Sequence, residues 1–260
     1  MRSWTLCLIA LALLASEKSI LADDVSDPYN LLIVNIIRSM PTGGGYSAGN
    51  GATEALRHAV ATTTDGLKID PSHAMPSYCS GATYLVFLKT IAVLQNSQRI
   101  ALSPDILESL HPSGQPDGTG VWGRWNANGP GTARLFAELG LGPNFTDLAE
   151  ARPGDFLKIF WSDNIGVSEH GHSVVYLGTE NREGIPFITY WSSNVPGGFG
   201  VKSVPLSRVH RMLFSRLEHP EALANIESIP PSDHYLYSLQ FRASNLPEME
   251  RECGLQDTLR

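Results

Sequence analysis

The chain is poor in charge and poorer still in cysteine. Only 17% of its 260 residues are charged, and acids outnumber bases by 26 to 19, a formal net charge of −7. So little positive charge argues against a nucleic-acid groove and gives no attraction to anionic membranes. Cysteine occurs three times, at Cys7, Cys79 and Cys253, and neither a Cys-x-x-Cys nor a His-x-x-x-His pair is present. Glu169, His170 and His172 form a local cluster of metal-ligating types. Structural zinc needs about four ligands and catalytic zinc about three, and no second motif supports that cluster, so neither a metal nor another cofactor is expected. No internal repeat is visible, which excludes a solenoid. The apolar run from Leu6 to Ala15 is too short to span a bilayer.

What is present suits a soluble globular protein. Hydrophobic residues make up 42%, enough for one domain with appendages. Residues 1–22 read as a signal peptide: Arg2 supplies the positive start, the apolar run follows, and cleavage after Ala22 leads into Asp23-Asp24. The expectation is an exported protein, periplasmic or secreted, with no stable membrane association once the signal is removed. Cys79 and Cys253 then remain. In an oxidising compartment they either pair or leave Cys79 free.

Residues 23–75 read as an N-terminal helical segment. Residues 28–40 form an amphipathic helix ended by Pro41, and residues 52–64 form a second. Between them lies Thr42-Gly-Gly-Gly-Tyr-Ser-Ala-Gly-Asn-Gly, with no strand before it and no Lys-Ser/Thr after it. It reads as a flexible loop near a cleft rather than a phosphate cradle. Ser103 and Pro104 open a helix over 103–110. Residues 111–130 read as a long polar loop holding Trp122, Arg124, Trp125 and Asn126. It either walls a binding groove or anchors itself to the core. Another helix covers 131–140. Five short strands follow, at 153–161, 172–178, 186–193, 199–204 and 210–217. Helices first and a strand meander after predict an α+β fold. Residues 229–260 form a polar tail that wraps the surface or is partly disordered.

Cys79 lies in Ser77-Tyr-Cys-Ser-Gly-Ala-Thr-Tyr-Leu-Val-Phe-Leu-Lys-Thr. Pro76-Ser77 signals a helix start, and Leu85, Val86, Leu88, Ile91, Ala92 and Leu94 recur at helical spacing. A thiol in the first turn of a helix meets unpaired N–H groups and the positive end of the dipole, which favour the thiolate. Otherwise Cys79 is a buried, inert cysteine. A thiol nucleophile needs a base and a group that orients the base. His172 heads the apolar run Val174-Val175-Tyr176 at a rigid strand edge, while His170 sits in the preceding loop. Asn194 and Ser192 share one face of the strand at 186–193 and its exit. The Asn194 amide oxygen can accept the imidazole N–H and fix the tautomer, or Asn194 simply opens the following turn. Ser193 takes its place if the strand bulges.

Cys-Ser-Gly at a helix start, a Pro153-Gly154-Asp155 turn before a strand, and His172-x-x-x-Tyr176-Leu-Gly resemble the NlpC and CHAP branches of the papain-like cysteine peptidases. The resemblance covers roughly residues 76–205, within an expected catalytic domain at 76–228. It implies N-terminal helices packed on an antiparallel sheet of about five strands. It implies Cys79 as nucleophile, His172 as base, Asn194 or, more weakly, Ser192 as the third member, and a structural Pro-Gly-Asp turn. Tyr78, Trp122, Arg124 and Trp125 are then expected to contact the substrate. The implied activity is that of an exported cysteine amidase or endopeptidase acting on a peptide or peptidoglycan substrate. Tyr78 replaces the Asp common before the family's cysteine, and Tyr190 or Trp191 occupies the third-site His position of NlpC-type members. These departures keep two other readings open: an exported binding module of the same fold without turnover, and an acyltransferase using the same dyad.

Overall fold

The structure, a computed structural model, describes residues 28–63 and 66–255. The signal-peptide reading lies outside the described residues. The helices are α1 (Pro28–Arg38), α2 (Asn50–His58), α3 (Cys79–Asn96), α4 (Pro104–Ser109), α5 (Gly120–Asn126), α6 (Gly131–Leu139), α7 (His234–Ser238) and α8 (Leu246–Glu252). The strands are β1 (Gly43–Gly44), β2 (Val60–Thr63), β3 (Gly66–Ile69), β4 (Asn144–Phe145), β5 (Phe156–Phe160), β6 (Ile165–Gly166), β7 (His172–Arg182), β8 (Ile185–Asn194), β9 (Gly198–Pro205), β10 (Arg211–Ser215) and β11 (Ala243–Ser244). The fold is α+β. Its main sheet has seven antiparallel strands in the order β1-β9-β8-β7-β5-β10-β4, not about five. The two extra strands are the two-residue β1 and β4, too short to carry an alternating pattern.

Helix α3 is the axis of the molecule. Apolar residues occupy most of its circumference, as expected of a helix largely enclosed by protein, with Val93 and Asn96 left exposed near its end. Tyr84, Leu85, Val86, Phe87, Leu88, Ile91 and Leu94 are fully buried. It packs against α1, α5, β3, β7 and β8. One continuous core joins Ile33 and Ile37 of α1, Leu56 of α2, this helix, Trp122 and Trp125 of α5, and Phe156 of β5. A second cluster, with Leu157, Val174, Tyr176, Ile188 and Phe214, covers other positions of the sheet. The alternation of Leu157 with Phe156 between the two clusters follows from the two-residue period of a strand.

Three expectations need correction. The second helix stops at His58, and Val60–Thr63 instead form a hairpin with β3. β-Branched Val60, Thr62 and Thr63 suit a strand better than a helix end. The segment 111–130 is not an open loop, because α5 lies inside it. Of the two readings of the tail from 229, partial disorder does not hold over its described residues: Tyr235, Leu236, Leu239, Met249 and Cys253 are buried as the tail wraps the body. Arg134 Nη1 donates to Glu252 O at 2.7 Å and Arg134 Nε to Asp233 at 2.7 Å, fastening that tail to α6.

Candidate active site

Cys79 is the first residue of α3, and Tyr78 before it is extended. No side chain caps this helix end, so its first N–H groups keep their positive character for another acceptor. Two backbone bonds fix the approach: Ser47 N donates to Ser77 O at 2.9 Å, and Ser77 N donates to Gly45 O at 3.2 Å. Ser77 Oγ donates to Ser193 Oγ at 2.8 Å in the interior, tying the helix start to β8.

His172 is the first residue of β7, and its ring lies close enough to the Cys79 thiol to favour the thiolate. On its other side, His172 Nε2 lies 3.2 Å from Asn194 Oδ1. The amide orientation is fixed independently, because Asn194 Nδ2 donates to Gly200 O at 2.8 Å and to Ser192 O at 3.2 Å. Those partners only accept, so Oδ1 must face the ring and accept from Nε2–H. The unprotonated nitrogen left for the thiol is then Nδ1. Trp161 stacks beside the imidazole at a ring separation of 6.5 Å, and Tyr190 meets it edge-on at 5.5 Å.

Burial raises the Cys79 pKa, but the neighbouring His172 ring and its charge oppose it. The Ser173 N–H and the Lys158 charge act in the same direction, and the net is a fall to about 7. Lys158 pairs with Glu169 at 2.5 Å beside the same cavity. Cys253 is the opposite case: burial pushes its thiol up to about 12. Both thiols are free, so no cystine locks Cys79.

The structure brings Cys79, His172 and Asn194 together. Ser192 is set apart: its Oγ donates to Ser173 O at 2.7 Å, bracing the strand that carries His172 without touching the imidazole. Ser193 is committed to Ser77. Tyr78 borders the cavity beside Cys79. Trp122, Arg124 and Trp125 do not. All three are within 2% of complete burial. Trp125 Nε1 donates to Thr83 Oγ1 at 3.2 Å, and Arg124 bonds Glu138 and the carbonyls of Gly120, Pro230 and Pro231. The groove-wall reading of these three is overturned, because aromatic area and a fully paired guanidinium gain more inside the core. Their neighbour Asn126 does reach the site, accepting from Ser80 Oγ at 2.7 Å.

Sequence reasoning missed Tyr46. It borders the same cavity as Cys79, and burial together with the adjacent sulfur raises its pKa to about 12. The glycine-rich loop that carries it is near the cleft, but it is pinned rather than loose. β1 pairs with β9, and Gly45 N and Tyr46 N donate to Gly197 O and Pro196 O at 3.1 Å each. An isolated hydroxyl-bearing aromatic in that glycine run was the available signal. Among the described residues no group of three or more His, Cys, Asp and Glu is placed to hold a metal. No helix of the described residues is long and apolar enough to cross a membrane. No family model, curated protein or solved structure matches the chain.

Proposed function

We propose that the protein is an exported cysteine amidase or peptidase of the papain-like NlpC/CHAP type, acting on amide bonds of cell-wall peptides. The observation that carries this reading is the relay from the Cys79 thiol through the His172 ring to an Asn194 amide that can present only its oxygen. Such a relay gives the thiol a base of fixed tautomer. A depressed thiol pKa supplies thiolate near neutrality.

The thiolate of Cys79 attacks the carbonyl carbon, and the C=O electron pair moves onto oxygen. The Cys79 N–H has no acceptor within the helix it begins. Together with the Tyr46 hydroxyl, it offers donors to that oxyanion. As the tetrahedral intermediate collapses, the C–N bond breaks and the imidazolium of His172 gives its proton to the departing nitrogen. The acyl group stays on sulfur as a thioester. A water, deprotonated by His172, then adds to that carbonyl and releases the acid and the thiolate. Cell-wall peptides as the substrate, and export, rest on the motif resemblance and on the apolar leader.

The test is cleavage of a cell-wall peptide by the wild type and by Cys79→Ala. The variant is expected to lose about 10⁴-fold or more in kcat, as removal of a nucleophile does elsewhere, with its unfolding transition retained. Equal rates would refute the assignment.

A further inference from the structure

Two cavities meet at the reacting groups, and they differ in sign. Tyr46 and Gly171 line both. The first, of about 270 Å³, contains Cys79 and Ser80 and is bordered by Asp117 and the Lys158–Glu169 pair, two carboxylates against one ammonium. The second, of about 260 Å³, contains His172, Asn194 and Trp161 and is bordered by Lys202 and Arg208. Among the described residues no carboxylate borders this second cavity, and both cations are exposed. Among the described residues neither cation has an acidic partner. Lys158 of the first cavity, by contrast, is ion-paired with Glu169.

Their placement is built into the sheet. Lys202 of β9 is the register partner of Tyr190 in β8, so the two share a face. Tyr190 in turn meets the His172 ring edge-on. Arg208 follows in the short 3₁₀ turn after β9, close enough to Tyr190 for its charge to act on the buried phenol. Chemistry assigns the two sides. The base must hand its proton to the departing nitrogen, so the leaving amine lies on the His172 side. The acyl group remains on the sulfur side.

We propose that the second cavity is the leaving-group subsite and selects an amine fragment that bears a carboxylate. Lys202 and Arg208 are its ion partners and Trp161 its apolar wall. This inference rests on the reading of Cys79 and His172 as nucleophile and base. The carboxylates of the first cavity repel an anion there, so the two cavities together fix the direction in which the substrate lies.

The test separates binding from turnover. Cys79→Ala protein is titrated with alanyl-alanine and with its C-terminal amide, followed by the NMR shifts of the Trp161 indole and the His172 imidazole. The free carboxylate is expected to bind about tenfold tighter at low salt, since two exposed ion pairs each contribute a few-fold, and the advantage shrinks as salt rises. It is expected to vanish in the Lys202→Gln/Arg208→Gln background. In the Cys79-containing enzyme, amides with one acyl group and either leaving amine should show the same ratio in kcat/KM. Equal affinity of the two dipeptides, or an advantage that survives the double substitution, overturns the subsite. Tighter carboxylate binding without cleavage of either amide would uphold the anion selectivity of the cavity and overturn hydrolysis as its use.

Discussion

Two free thiols in one chain sit in opposite environments, and the difference is chemical rather than a matter of depth alone. Burial acts on both Cys79 and Cys253 in the same direction. Cys79 has an imidazole, a backbone N–H and an ammonium group to offset it, whereas at Cys253 only the Arg134 charge opposes burial, with nearby carboxylates adding to it. At pH 7 about half of Cys79 is then thiolate, against a few per cent for an ordinary thiol. Alkylation by iodoacetamide should therefore fall on Cys79 and rise with pH through a midpoint near 7, while Cys253 stays unlabelled in the folded protein. Replacing His172 with Gln removes the largest of the lowering influences. The midpoint should move up toward or beyond the usual thiol range, as followed by mass spectrometry of the labelled peptide. An unmoved midpoint would mean that His172 does not set the thiol's acidity. At this scale the sequence was informative where a local pattern fixed the surroundings. A helix start fixes what Cys79 meets, and a strand start fixes His172. Asn194 was legible as an acceptor through its amide oxygen, but its locking by Gly200 O and Ser192 O was not. Tyr46 was not legible, because its nearness to the sulfur depends on a pairing of β1 with β9, more than 150 residues away.

The elements show why motif and partner are separate problems. Pro153-Gly154-Asp155 reads from sequence as a turn, and it is one: Gly154 has φ of 102°, and a Cβ there would lie 2.6 Å from Asn30 O. What the turn does depends on residues far along the chain. Asp155 is fully buried, with Arg216 Nε and Nη2 of the segment after β10 at 2.9 and 2.8 Å and Asn30 Nδ2 of α1 at 2.8 Å. The turn thus joins the N-terminal helix, the central sheet and its far edge. Replacing Arg216 with Met strands a carboxylate in the interior and should cost about 3–5 kcal/mol in denaturant unfolding. Arg216→Met combined with Asp155→Leu should recover much of that loss, because the penalty comes from the unpaired charge rather than from a missing attraction. Helix α5 teaches the converse. Gly120 and Gly123 made residues 111–130 look like loop, since glycine disfavours helix. Yet a Cβ at Gly123 would come within 2.2 Å of Pro116 O. The glycine is there to let the chain fold back closely, and tertiary packing overrides its helix propensity.

Over the whole molecule, the N-terminal segment is part of the body that carries Cys79 and His172 rather than a cover laid across it. Ile33, Ile36, Ile37 and Met40 of α1 and its exit, and Ala52 and Leu56 of α2, belong to the same core as α3. Between these helices the loop delivers Tyr46 to the sulfur and closes the sheet edge through β1. A removable cover would bury little and leave a finished core beneath it. Here each large aliphatic residue of α1 contributes about 2–5 kcal/mol when truncated to alanine, and a domain of this kind has only about 5–15 kcal/mol to lose. Three such residues are enough to exhaust the stability. A chain starting at residue 48 is therefore expected to show no cooperative unfolding transition by circular dichroism, and no enhanced alkylation of a structured Cys79. If that chain instead melts cooperatively and turns over substrate faster than the longer protein, residues 28–47 would be an inhibitory cover, and Tyr46 beside the sulfur would be the group that holds the site shut.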